Sequence, residues 1–308
     1  MKSLKKRLAH KIAFYLPIND VSMSYTKLNK RFTMKYVRIS LIIFFIAVFA
    51  IPCLYAQENE LSLDPLSAMS FNGSTGLFSI PTGRIGWEKD RDLGLDLGYH
   101  AIIKKDRATH IPKIALSFFK LVELSTAVDI QPDYYITEEK GADFVGGLKI
   151  HFPIKKTALA LGGNFQALNM FNERENRYSA GQVYLAVSYA GNFFNWPAET
   201  TIVMGKTFQE GYMNSDIDFG MGFDLALWPK VFRGYIHWIT DFSNFSYSVE
   251  AFHADSWYRG VLNTGLRLNF AMIPFLKKFK FSVDIVMTDA FDKNRAFSVG
   301  GMFGIPII

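Results

Sequence analysis

The chain has 308 residues, 49% hydrophobic and 16% aromatic, with 34 Lys+Arg, 28 Asp+Glu and a formal net charge of +6. The basic surplus is confined to residues 1–56, which hold 10 Lys/Arg and one acid, so residues 57–308 carry 24 basic and 27 acidic side chains. That balance gives no support to a nucleic-acid partner, and the single cysteine, Cys53, leaves 57–308 without disulfides, thiol catalysis or cysteine metal ligands.

Residues 1–33 set Lys2, Lys5, Lys6, Arg7, Lys11, Lys27, Lys30 and Arg31 against Asp20 alone. Lys35 and Arg38 then precede an apolar core over 39–54, and Ala56 stands before Gln57-Glu58-Asn59-Glu60. A basic start, a short apolar core and a small residue ahead of a polar stretch make up a secretory signal peptide, with cleavage expected after Ala56. A spanning helix needs about 20 apolar residues, more than this core supplies; an uncleaved anchor is the alternative. Pro52 makes a poor context for lipidation at Cys53. So long a basic prefix is unusual ahead of a signal, and translation is expected to start at Met34; a prefix that is translated reads as a cytoplasmic basic arm. The expected organisation is an N-terminal extension plus signal peptide over 1–56 and a single β-barrel domain over 57–308, across which composition does not shift.

Within 57–308 the first distinctive stretch is Phe71-Asn72-Gly73-Ser74-Thr75-Gly76-Leu77-Phe78-Ser79-Ile80-Pro81-Thr82-Gly83-Arg84. Thr75–Pro81 reads as an opening strand. Gly73 and Gly76 permit close backbone approach or positive φ, and Pro81 cannot donate to a ladder, so it should end the strand or face an open edge. Arg84 reads equally as the partner of a lumen or rim carboxylate and as a solvated turn residue.

Strict alternation follows. Leu93, Leu95, Leu97 and Tyr99 oppose Asp96 and Gly98; Val122, Leu124, Thr126, Val128 and Ile130 oppose Glu123, Ser125, Ala127 and Asp129. The pattern recurs over 144–152, 159–166, 183–189, 262–270, 279–285 and 297–305, and is clearest from Asp216 to Leu227. There Ile217, Phe219, Met221, Phe223, Leu225 and Leu227 alternate with Asp216, Asp218, Gly220, Gly222, Asp224 and Ala226. Weaker candidates lie at 114–119, 200–206, 233–240 and 245–252. A period of two is a β-strand with one apolar and one polar face. Carboxylates on the polar face fit badly in a dry sandwich core and well in the lumen of a membrane barrel whose apolar face meets lipid. The expected fold class is all-β, an antiparallel transmembrane β-barrel of about 12–14 strands with an N-terminal signal helix; bacterial barrels use even counts, and fourteen is favoured, with twelve close behind, because about fourteen candidate strands can be counted.

Phe119-Lys120-Leu121 and Asp241-Phe242-Ser243-Asn244 read as tight turns, and 131–142 and 169–180 as longer polar loops. Trp196, Trp228, Trp238 and Trp257 fall at or near predicted strand ends, where interfacial belts favour them. The registers place Asp96, Asp129, Lys149, His151, Asn164, Asp218, Asp224, Asn263, Arg267, Asn269, Lys280 and Asp284 on the lumen side. Their mixed signs fit either an internal salt-bridge network that narrows the bore or a hydrated pore.

The motif Gly73, Gly76, Leu77, Ile80, Pro81, Thr82, Arg84 resembles the YjbH-like family of outer-membrane β-barrel proteins linked to exopolysaccharide. Ser117–Leu124 and Gly141–Lys149 are similar as well, so the likeness spans about residues 71–165. The family pattern usually has Ala where Gly83 stands, and full-length members are much longer. The resemblance implies an outer-membrane location and a link to polysaccharide secretion.

Catalytic constellations are weak. His253-Ala254-Asp255-Ser256 brings three triad residue types together, but triads are assembled by geometry from distant segments, and a solvated loop is the simpler reading. His237 reads as an interior histidine. The histidines lack metal-ligand spacing, and phosphate-cradling loops are missing. The expected protein is not an enzyme and has no cofactor or metal. The leading expectation is an integral outer-membrane barrel, porin-like, serving as a channel or accessory for a polar or polysaccharide solute. The alternative is a structural or adhesin-like surface barrel with no conductance, and a barrel hydrolase around His253 or Ser256 stands third. Expected partners are outer-membrane lipid, the barrel-insertion machinery and a saccharide-export system.

Overall fold

A computed structural model of the chain describes residues 66–88, 92–104, 107–131, 141–154, 156–168, 178–209, 217–244, 260–276, 278–292 and 295–307. The signal segment with Cys53 and the Ala56 cleavage position lies outside the described residues. So do His253, Asp255, Ser256, Trp257, the candidate strand 245–252 and most of the two long loops.

Twelve strands form the sheet: β1 (Leu93–Lys104), β2 (Arg107–Phe118), β3 (Val122–Gln131), β4 (Gly141–Ile154), β5 (Thr157–Leu168), β6 (Tyr178–Phe193), β7 (Trp196–Gln209), β8 (Asp218–Ala226), β9 (Ile236–Ser243), β10 (Val261–Asn269), β11 (Lys280–Thr288) and β12 (Ala296–Pro306). Each pairs antiparallel with its sequence neighbour, and β1 pairs with β12 from Gly94↔Pro306 to Ile103↔Phe297, closing the barrel. A short helix, α1 (Pro229–Phe232), links β8 to β9.

Twelve strands form among the described residues, the lower of the even counts expected, where fourteen is favoured by the sequence. Thr75–Pro81 is not a strand of the sheet, for Gly76 and Pro81 bridge to each other instead of joining a ladder. β9 and β10 pair directly with each other. The expected tight turn at Asp241–Asn244 is also corrected. Asp241 and Ser243 are ladder residues of β9, opposite Asn263 and Val261 of β10. Asp and Ser imitate turn chemistry in sequence, but here they are the inward half of an alternation whose outward half is Trp238, Thr240 and Phe242.

The turn over Phe118–Leu121 does form, with positive φ at both Phe119 and Lys120; Phe194 and Asn195 repeat the arrangement between β6 and β7. Two central residues with φ > 0 match the right-handed twist of the flanking strands. These turns, α1 and the 270–276 connection share a rim with the start of β1 and the end of β12. Most connections at the opposite rim are longer. Trp196 opens β7, Trp228 precedes α1 and packs 4.9 Å from it ring to ring, and Trp238 lies near the start of β9.

Apolar rows point outward. Leu148, Phe165 and Val183 are 46%, 56% and 53% exposed, whereas inward-facing Asp96 and Arg267 are 0%. The inside holds a second, smaller apolar group. Phe71, Leu77, Phe78 and Ile80 cluster there with Ile102, Ile111, Val145, Val203, Ile239 and Val286 of the wall. The first four belong to residues 66–88, which enter the bore ahead of β1.

Candidate functional site

The candidate site is the bore and the segment lying in it. Residues 66–88 form no regular element; they fold into two small loops pinned by bridges Met69↔Thr75 and Gly76↔Pro81. The Ser70 amide donates to Ser74 O (2.8 Å), Phe71 N to Phe78 O (2.7 Å) and Thr82 N to Thr75 O (3.1 Å). Ser70 and Ser74 hydroxyls both donate to the Asn72 side-chain carbonyl. These bonds satisfy only part of the segment's backbone, and side chains of the wall take many of the other groups, in keeping with the need to pair buried main chain.

Two glycines set how closely segment and wall approach. Gly73 has φ +91°, and a Cβ there would lie 2.7 Å from Thr126 O of β3; at Gly83 it would lie 2.1 Å from Ala158 O of β5. The first position combines a conformation that L side chains resist with a close contact; the second is a matter of space alone.

Carboxylates of the wall capture N–H groups of the segment. Asp241 accepts from Phe78 N and Ser79 N (2.8 Å each), from Ser79 Oγ (2.9 Å), and from Asn263 Nδ2 of the neighbouring strand (2.8 Å). Glu123 accepts from Thr75 N (2.8 Å), the Thr75 hydroxyl and Gly86 N (2.9 Å), and pairs with Lys149 at 3.1 Å. Asp96 accepts from Trp87 Nε1 at 2.9 Å.

Cations of the wall take the carbonyls. Lys113 donates to Ser70 O and Lys149 to Thr75 O (2.8 Å each), Arg267 to Gly76 O (3.2 Å), and Lys280 to Gly86 O. The Lys280 ammonium also stands 4.2 Å from the Trp87 ring centroid. His151 Nδ1 donates to Gly83 O at 2.7 Å. Side chains thus bind backbone almost throughout. Besides the Thr75 and Ser79 hydroxyls and the Trp87 indole, a segment side chain that binds a wall side chain is Arg84, which donates to Glu199 of β7 (2.5 Å) and, within the segment, to Glu88 (2.8 Å). Burial opposes its charge, yet Glu199 and Glu88 hold the guanidinium protonated and raise its pKa above the ordinary value.

The sequence-predicted lumen residues fall as follows. Asp96, Lys149, His151, Arg267 and Lys280 touch the segment directly. Asp284 receives Arg267 through Nε (2.7 Å) and a terminal nitrogen (3.0 Å), and lies 3.2 Å from His100 Nε2. Asn164 donates to Gln182 (3.0 Å), while Asp218 accepts from Thr207 (2.5 Å) and Gln182 (3.2 Å). Asp224 and His237 Nδ1 are 2.6 Å apart. Asn263 links Asp241 to the Asp289 amide, and Asp129 is buried opposite Asp143. Asn269 departs from the expectation: it ends β10 and accepts from Ala271 N at 3.1 Å, capping a rim turn. All seven motif residues, Gly73, Gly76, Leu77, Ile80, Pro81, Thr82 and Arg84, lie in the segment within the bore and not in an opening strand. Two glycines and a proline within nine residues deny it a ladder partner, while its four large apolar side chains need a dry surface.

Sequence reasoning missed Lys113, Glu199 and Asp241, and did not separate Glu123 from its neighbours. Pro112 breaks the alternation beside Lys113, and Pro197 does so beside Glu199. Glu123 stood on the polar face of its strand, so parity alone could have found it. Among the described residues, inward strand positions carry nine carboxylates (Asp96, Glu123, Asp129, Asp143, Glu199, Asp218, Asp224, Asp241, Asp284) and four Lys/Arg (Lys113, Lys149, Arg267, Lys280). Among the same residues, groups of three or more His, Cys, Asp or Glu able to hold a metal ion are absent.

No family model matches the chain, and no curated protein matches it. Solved structures do. The KdgM porin is 9% identical, with a TM-score of 0.45 over 68% of this chain and 98% of that one. Omp33 of Acinetobacter baumannii is 12% identical, TM-score 0.40, over 72% and 100%. LpxR from Salmonella typhimurium is 10% identical, TM-score 0.43, over 70% and 100%. At these values the barrel architecture rests on the strand pairing described above.

Proposed function

We propose that the protein is an integral outer-membrane barrel, closed at rest by its own residues 66–88, that acts as a gated conduit for a polar solute. The observation that carries this reading is the polar latch between segment and wall. The bore is lined with charged side chains that bind the segment's main chain, and water can replace each such bond once the segment leaves. The outward apolar rows supply the lipid contact. The resemblance of the 71–84 motif to YjbH-like proteins supports service beside a saccharide-export system, with signal-peptide export and the barrel-insertion machinery delivering the chain.

A second reading, a structural surface barrel that never conducts, is favoured by the apolar cluster around Phe71, Leu77, Phe78 and Ile80, which resists withdrawal. Planar-bilayer recording separates the two. The intact chain should be closed with rare openings, and substitutions that loosen the segment should raise the open fraction. Steady conductance of the unaltered chain would contradict closure. A folded, inserted barrel with a loosened segment and no current would leave only the structural reading.

A further inference from the structure

The wall divides into two unequal parts. Lys149, Arg267 and Lys280 each face a carboxylate of the wall itself: Glu123 at 3.1 Å, Asp284 at 2.7 Å and Asp96 at 3.7 Å. On β7, β8 and β9 the described inward positions include Glu199, Asp218, Asp224 and Asp241 and no Lys or Arg. Asp224 lies 2.6 Å from His237 of β9, and Asp218 accepts from Thr207 and Gln182 and has the Lys206 ammonium of β7 acting on it; Glu199 and Asp241 are met by the segment itself, through the Arg84 guanidinium and through the Phe78 and Ser79 amides. A cation and a row of hydrogen-bond donors occupy the place. When the segment withdraws, Arg84 leaves with it, and the paired part of the wall remains near neutrality while the β7–β9 side keeps its carboxylates.

We infer that the opened bore is selective for cations, so that its solute is a small cation or a positively charged polar molecule and not an acidic polysaccharide. This rests on the gated-conduit reading. A low-dielectric wall carrying one sign of charge concentrates counter-ions and repels co-ions. A polyanion would meet the β7–β9 carboxylates all along its path, whereas a cation exchanges one carboxylate partner for the next. The role beside saccharide export would then be to move the accompanying cation or a cationic sugar, not the acidic polymer.

The test uses the full chain opened from the segment's side, leaving the wall unaltered: Gly73→Leu with Gly83→Leu, where even a Cβ meets wall backbone at 2.7 and 2.1 Å. Folding is checked by slower gel migration after boiling than before. Reversal potentials are then read in a potassium chloride gradient. The expected permeability ratio of potassium over chloride is about tenfold, the lower end of the enrichment that focused fields produce. Adding Glu199→Gln and Asp224→Asn should bring it down severalfold. A folded opened variant without current overturns the conduit reading. Current with chloride equal to or above potassium overturns the cation inference alone. A ratio that ignores the Glu199 and Asp224 substitutions overturns its assignment to this side of the wall.

Discussion

Replacing Asp241 with Ala tests whether strand-borne carboxylates hold the bore shut. Asp241 is fully buried and accepts three bonds from the segment, at 2.8, 2.8 and 2.9 Å. A net bond to a charged group contributes about 1.5–3 kcal/mol, and an ordinary one about 1. Water entering the space left by the side chain would re-satisfy part of the loss, so about 3–6 kcal/mol of docking free energy should disappear. At 1.4 kcal/mol per tenfold, the closed-to-open ratio falls by roughly 10²–10⁴. Burial of Phe71, Leu77, Phe78 and Ile80 opposes this with about 1.5–3 kcal/mol each, so the segment should still dock most of the time. The expected record is therefore frequent brief openings, not a permanently open pore. Asp241→Asn keeps one acceptor oxygen and should lie between. Asp224→Asn is the control, because among the contacts described Asp224 bonds only to His237 of the wall. Equal open fractions for Asp241→Ala and Asp224→Asn, with both barrels folded, would refute the carboxylate latch.

Three other outcomes follow from the same geometry. Leu148→Arg, at the middle of β4 and facing outward, should destabilise the barrel in liposomes by about 2–4 kcal/mol; urea titration that finds no change would remove the lipid-facing assignment. Glu123→Gln leaves Lys149 buried at 1% side-chain exposure without its anion and should cost about 3–5 kcal/mol. The double variant Glu123→Gln, Lys149→Met should recover part of that in the same titration, and strict additivity would mean the two do not act as a pair. Ser79 Oγ and Ser243 Oγ are 3.2 Å apart, so Ser79→Cys with Ser243→Cys in a Cys53→Ser background brings two thiols side by side for a disulfide across segment and wall. Its formation in folded protein should suppress the openings of Asp241→Ala until a reductant is added, and failure to cross-link would place the segment elsewhere.

The barrel was readable because its code is redundant. Leu95, Leu97 and Tyr99 outside Asp96 and Gly98 say the same thing as Phe281, Val283 and Ile285 outside Ser282 and Asp284, and each strand repeats it. Parity alone put Asp96, Lys149, Arg267 and Asp284 on the inner wall. The segment was not readable that way. Thr75-Gly76-Leu77-Phe78-Ser79-Ile80-Pro81 carries about as many apolar residues as a strand, and its backbone partners are side chains up to 191 positions away, as for Arg267 on Gly76. Nothing local announces such a partner. Asp241 was lost for a related reason: Asp-Phe-Ser-Asn has turn composition, and only the ladder with β8 and β10 tells an inward carboxylate from a capping one.

Buried charge is the feature that most needs a reason in a twelve-stranded barrel. A bore filled once and for all is more cheaply filled with apolar side chains, since exchanging a buried ion pair for well-packed hydrophobes is often neutral or stabilising. This wall does use Ile102, Ile111, Val145, Val203, Ile239 and Val286 where it meets the segment's four large apolar side chains. Around them it keeps Lys113, Glu123, Lys149, Asp241 and Arg267, whose partners include main-chain groups of a segment that is not part of the sheet. Such side chains are satisfied in two states: by amides and carbonyls when the segment is in place, and by water when it is not. An apolar wall would be satisfied only in the first. The division of labour on the proposed reading is therefore that the apolar cluster sets how tightly the segment docks, and the charged groups keep the empty bore stable enough to exist.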